Sequence, residues 1–298
     1  MPFILIKGHF APETGIPDGD SVRFVADDPK LWAKLQGVAV RHGTAAASLH
    51  SVQLRLEGID AIEKHAIQPL ANQARDHFLD VCLGHQTGTN PRPLGYILTR
   101  ETDDHGRPIS FAFAGEAAQS DGTSIHLDAA RLKLSANFLQ MQAGYAYPLY
   151  YNTLFAELRN TLTAAYHEAK RKGLGYWPTD ATQTGVSISS AAQLSSIAPI
   201  WPKLWRRLEK YLRQPAVTDL SGFVAHLSTM NERVDLLDVM EERGLQDLVS
   251  VSANAKEIRM TQDPVNLRVV SNVRPRARSN YPNPAVDRST PLATPHEH

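Results

Sequence analysis

Apolar and polar residues alternate over residues 51–59. Val52, Leu54 and Leu56 fall on one face and Gln53, Arg55 and Glu57 on the other, the period-two pattern of a strand with one buried side. Residues 3–10 are equally β-rich, and in 21–26 Val22, Phe24 and Ala26 alternate with Arg23 and Val25. Residues 27–51 read as an insertion with a short helix at 29–35. The period then lengthens: Leu70, Ala74, Phe78 and Val81 recur by threes and fours, which predicts a helix over 70–83 stopped by Gly84. Strands are expected at 94–99 and 108–114, joined by a polar turn at 103–107 into a hairpin with its charge at the tip. Helices follow at 130–144 and 153–172, the second with Leu154, Leu158, Leu162, Ala165 and Ala169 on one stripe and Gly173 and Gly175 at its end.

Strands first and helices after predict an α+β domain built on a short barrel, placed at residues 1–180. The composition then changes to Ser, Thr, Gln and Ala over 180–196. Residues 200–213 are amphipathic: Trp201, Leu204, Trp205, Leu208 and Leu212 form an apolar face, and Lys203, Arg206, Arg207, Lys210 and Arg213 a basic one. The expectation for that basic face is solvation, with nucleic-acid backbone contact as the alternative. Helices at 221–230 and 236–249 and a hairpin over 249–260 complete a small α+β unit at 181–273 of unassigned role and partner. Residues 274–298, rich in Pro, Arg, Asn and Ser, are expected to be disordered.

Composition adds boundaries. The chain has 298 residues, 42% hydrophobic, with 31 cationic and 31 acidic side chains, so overall charge gives no pull toward nucleic acid, although a local basic cleft stays open. Its one cysteine, Cys82, excludes an internal disulfide and is expected to be a small buried hydrophobe. No run of eighteen apolar residues predicts a membrane span. The first residues do not read as a secretory signal, so the default compartment is cytoplasmic, with secretion as the alternative. His65, His77, His105 and His126 lack zinc-ligand spacing and are expected on the surface.

The chemistry lies in three short segments, each at a strand end. Asp20 follows Asp18-Gly19; Arg55, Asp60 and Glu63 share the third strand and its exit; Arg107 closes the hairpin tip. Taken singly, each is an ordinary turn or solvated end. Together they supply carboxylate oxygens for a hard cation and planar guanidinium forks for phosphate oxygens. That set suits hydrolysis of a phosphate diester.

The same segments carry a resemblance. Asp18-Gly19-Asp20-Ser21-Val22, Arg55 through Glu63, Thr102-Asp103-Asp104-His105-Gly106-Arg107 and Gly173-Leu174-Gly175-Tyr176-Trp177 occur in order. In this the chain resembles the staphylococcal nuclease (thermonuclease) family over about residues 3–177. The resemblance implies a five-stranded OB-like barrel with packed helices. It implies Ca²⁺ held by Asp20, Asp60 and the backbone carbonyl of Ala61, with Asp18 near the metal. Glu63 would orient and activate the attacking water, and Arg55 and Arg107 would grip the scissile phosphate. Tyr150 would contact the nucleotide, with His105 stacking or donating a hydrogen bond.

The chain also departs from the family. Ala61-Ile62 stands where the family often has Thr-Pro, Asp104-His105 where it has Lys-Tyr, and Asn152 where it has a second tyrosine. The function implied is a calcium-dependent endonuclease acting on DNA, and on RNA as well, with little sequence preference. The alternative is a catalytically silent nucleic-acid-binding module of the same fold.

Overall fold

The fold is taken from a computed structural model that describes residues 2–270. Strand β1 (Phe3–Phe10) runs antiparallel to β2 (Arg23–Ala26), and β2 to β3 (Val52–Gln53). Beyond Leu54 lie β4 (Arg55–Leu56) and β5 (Gly58–Asp60). Strands β6 (Leu94–Thr102) and β7 (Pro108–Ala114) form the expected hairpin, and the short β8 (Ser124–Ile125) pairs with the start of β1. The strand path is β3-β2-β1-β6-β7-β4. Because β3 and β4 flank Leu54, the two ends of that path belong to one stretch of chain. The Leu54 amide still reaches the Val22 carbonyl on the β2 side (2.9 Å), while the Glu57 amide reaches Ser110 on β7 (3.0 Å). The sheet therefore curls into a nearly closed barrel with six strands on its path rather than the expected five, since the 51–59 run is interrupted where it changes partners.

The alternation read from the sequence sorts the barrel as expected: Val52, Leu54 and Leu56 are buried with Phe10, Phe24, Phe111 and Phe113. Helix α1 (Leu70–Asp76) runs straight into a π-helical turn at His77–Cys82. Cys82 is buried, and burial pushes its thiol up to about 12. The single helix expected over 130–144 is instead α2 (Ala129–Leu132) and α3 (Ala136–Gln142), because Ser135 breaks it and caps α3 by accepting from the Phe138 amide at 3.2 Å. Strand β9 (Tyr147–Tyr151) and helix α4 (Ala156–Arg171) follow.

In the C-terminal part, β10 (Val186–Ser187) precedes α5 (Pro202–Leu212) and α6 (Phe223–Thr229). The helix expected over 236–249 is not formed. Strands β11 (Arg233–Leu236) and β12 (Glu241–Gly244) make a hairpin there, with Met240 in the turn at φ 55°. The apolar residues that resembled a helical stripe are split by that turn: Leu236, Leu245 and Leu248 are buried, whereas Val239 and Met240 are exposed. Strands β13 (Val249–Val251) and β14 (Glu257–Met260) form the expected second hairpin, extended by β10, and β15 (Leu267–Val269) ends the described chain. The expected disordered tail lies outside the described residues.

One sheet crosses the expected boundary at 180/181. Its order is β12-β11-β15-β9-β5, with β15 parallel to β9. Trp201, fully buried, donates its indole N–H to the Pro148 carbonyl at 3.0 Å, and the Tyr166 hydroxyl donates to Asp263 at 2.7 Å. The first bond fastens the start of α5 to β9 beside β5, the strand that ends at Asp60, and the second ties α4 to the turn before β15. Among the described residues, no helix is long and apolar enough to cross a membrane.

Candidate active site

Helix α3 sets the site from behind. Buried Asn137 donates to the carbonyls of Glu57 (2.9 Å) and Ser110 (3.1 Å) and accepts from the Ala112 amide (3.1 Å), which fixes the β4–β5 link against β7. Gln140, also buried, donates to the carbonyls of Gly19 (2.7 Å) and Ala74 (3.0 Å). Position 19 needs glycine for space, since a Cβ there would lie 2.7 Å from Ala61 Cβ and 3.0 Å from Ala74 Cβ. This close approach lets Asp20 accept from the Ala61 amide at 2.9 Å and brings its carboxylate beside that of Asp60.

The opposite side is the β6–β7 hairpin tip, with Gly106 at φ +74°. Asp103 organises it. One oxygen accepts from the amides of His105 (3.0 Å) and Arg107 (2.9 Å), and the other accepts from Arg107 Nε at 2.7 Å and lies 3.9 Å from Arg55 Nη1. Burial opposes its ionisation, but the bonds from Arg107 and the charge of Arg55 hold Asp103 below the usual carboxylate range. Arg55 lies over the Tyr151 ring, 4.6 Å from its centroid. Burial works against its charge too, yet Tyr151, Asp60 and Asp103 raise its pKa.

Between these sides runs a cleft of about 500 Å³. Asp20, Arg55, Asp60, Glu63, His105 and Arg107 all line it, with Asp18 and Asp104. Two expected residues do not. Tyr150 is fully buried, with its hydroxyl on Thr163 (3.0 Å), and its neighbour Tyr151 faces the cleft instead. In strand β9 consecutive side chains take opposite sides, so a shift of one residue exchanges core and cleft. Ala61 lies behind the lining with its amide committed to Asp20.

The C-terminal part supplies the rest of the wall. Lys203, Arg206, Arg207 and Glu232 line the same cleft, so the basic face of α5 that reads as solvated is turned inward over these residues. Lys203 is buried and meets Glu232 at 2.6 Å, and Arg207 grips the same carboxylate through Nε (2.7 Å) and Nη2 (2.6 Å). Burial works against the charge on Glu232, but these two partners lower its pKa to about 2. Arg206 goes furthest: Nη1 donates to Asp60 Oδ1 (2.9 Å) and Glu63 Oε1 (2.8 Å), and Nη2 to Asp60 Oδ2 (2.9 Å).

No protein-family model and no curated protein matches this chain.

The donor set has the chemistry of a hard-cation site, since nine carboxylates line the cleft against five Lys and Arg side chains. Burial and the charges of Asp18 and Asp60 push the Asp20 carboxyl well above its usual range. The arrangement, however, does not fit calcium. Both Asp60 oxygens and one oxygen of Glu63 already accept from Arg206. Among the described residues no group of three acidic, His or Cys side chains is disposed to hold a metal ion. Sequence reasoning missed Asp103, Arg206 and Glu232. Asp103 had a usable signal in its four-residue spacing to Arg107 across a glycine turn. Arg206 had only its place on the basic face of residues 200–213, which is shared by four other residues, and Glu232 had none.

Proposed function

We propose that this cleft hydrolyses phosphodiester bonds in nucleic acids, DNA first and RNA as well, on an OB-like barrel. The reading is carried by one observation: Arg55 and Arg107, both held by Asp103, share a single cleft with Glu63 and Asp60. Two guanidinium forks suit the non-bridging oxygens of a diester, and they stabilise the added negative charge of the transition state. Glu63 stands free of Arg206 at its second oxygen and accepts a proton from water. The water oxygen bonds to phosphorus as the bond to the departing oxygen breaks, and that oxygen takes its proton from solvent. His105 and Tyr151, on the cleft wall, are suited to contact a base or sugar.

A second reading has its own support. Arg206 satisfies Asp60 fully and Glu63 in part, which is the state expected of a binding module that no longer turns over. Labelled single-stranded DNA incubated with wild type, Arg55→Ala and Glu63→Ala separates the two, with calcium and with chelator in parallel. Hydrolysis predicts cutting by wild type that falls by about 10² to 10³ in each variant. DNA bound but uncut by all three proteins selects the silent module.

A further inference from the structure

The guanidinium of Arg206 has two edges. Its Nη1–Nη2 fork is spent on Asp60, and the outer Nη1 hydrogen on Glu63. The Nε hydrogen and the second Nη2 hydrogen point the same way along the other edge, and among the described residues neither meets an acceptor. This remaining fork has the spacing of two phosphate oxygens. The Arg206 side chain is 32% exposed and borders the same cleft as Arg55 and Arg107. The charge of Asp60, which lines the cleft with them, acts on both Arg55 and Arg206.

Resting on the phosphodiester reading, we infer that Arg206 is the resident cation of this cleft: it holds the place between Asp60 and Glu63 that a divalent ion would need, and it offers its remaining fork to the phosphate gripped by Arg55 and Arg107. A divalent ion on Asp60 would sit against a like charge. Nor is Arg206 carried on a loose segment that could act as a removable plug. Trp201, Leu204, Trp205 and Leu208 of α5 and its N-terminal flank are buried, and the Trp205 indole donates to the Leu194 carbonyl at 3.1 Å. Withdrawal of the helix would expose all four.

Calcium is titrated calorimetrically into the full chain, wild type and Arg206→Gln, and both are assayed on labelled single-stranded DNA in excess chelator. Wild type is expected to bind calcium at least 100-fold more weakly than Arg206→Gln, to cut DNA in chelator, and to lose about 100-fold of that rate on substitution. Equal calcium affinities, or wild-type cutting that requires calcium, overturn the inference. Arg206→Lys guards against loss of fold, because it keeps the charge without the fork. It should still exclude calcium while cutting at least tenfold more slowly, and calcium binding equal to that of the glutamine variant counts against the inference. If no protein cuts DNA, the hydrolytic reading falls by itself, and the calcium contrast still decides whether Arg206 holds the cation's place.

Discussion

The two ends of the cleft are built from the same parts in opposite proportion. At the hairpin tip one carboxylate, Asp103, holds two arginines; beside β5 one arginine, Arg206, holds two carboxylates. Asp103 and Arg107 are four residues apart, whereas Arg206 reaches Asp60 across 146 residues. The Asp103–Arg107 pair lies within the hairpin, and Arg55 joins it from β4. The arrangement beside β5 exists once the C-terminal part has added β15 to β9 and set α5 against the barrel. Charge balance in this cleft thus draws on both parts of the described chain, although most of its acidic side chains, with Arg55 and Arg107, lie before residue 108.

The comparison breaks most visibly at Arg206. Arg206→Ala leaves the buried Asp60 without its partner, and the expected loss of stability at pH 7 is about 3 to 5 kcal/mol, measured by urea unfolding. If the two ends were independent, that substitution would leave the position of the hairpin tip unchanged, as read from the amide chemical shifts of residues 103–107.

Glu57, between the two ends, sharpens the picture through pH. Burial raises its pKa from 4.5 to about 7, a rise that Arg100 eases and the charge of Glu101 reinforces. In the unfolded chain it ionises near 4.5; in the fold it resists until about 7. Its cost to stability therefore grows between those values and is constant above them, at about 3 kcal/mol. Glu57→Gln should match wild type near pH 4 and exceed it by about that amount at pH 8. An equal stability difference at both pH values would contradict burial as the cause.

The smallest effect is expected at the tip. Asp103→Asn removes the charge that gathers Arg55 and Arg107, at a cost of about 2 kcal/mol at pH 7. A carboxylate with a depressed pKa stabilises the fold above its ordinary value and loses that contribution as pH falls through the folded one. The gap between the variant and wild type should therefore close as pH drops below about 4. A gap that persists in acid would mean that shape, and not charge, holds the tip together.

What the sequence disclosed follows the same division between local and distant. The alternation of Val52, Leu54 and Leu56, the α4 stripe and the 94–114 hairpin depend on residues a few positions apart, and their elements form where expected. So do the strand-end positions of Asp20, Arg55, Asp60 and Arg107. The 236–249 segment misled because its apolar residues satisfy a helical period, while the β11 strand is decided by pairing with β15, 31 to 35 residues on. Tyr150 and Tyr151 are indistinguishable by type, and the pleat decides which one meets the cleft. Arg206 is one of five basic residues on an amphipathic helix, and nothing local marks it as the one that finds Asp60 and Glu63.

Arg55, Arg107 and Arg206 are proposed to grip one phosphate diester from both parts of the chain. A crystal structure of the full chain with a phosphorothioate-linked dinucleotide, grown in the presence of calcium, tests this directly. It should show the linking phosphorus group within about 3 Å of Arg55, Arg107 and Arg206 nitrogens, with Arg206 still on Asp60. A calcium ion between Asp20 and Asp60 with Arg206 turned away, or a dinucleotide seated outside the cleft, would contradict it.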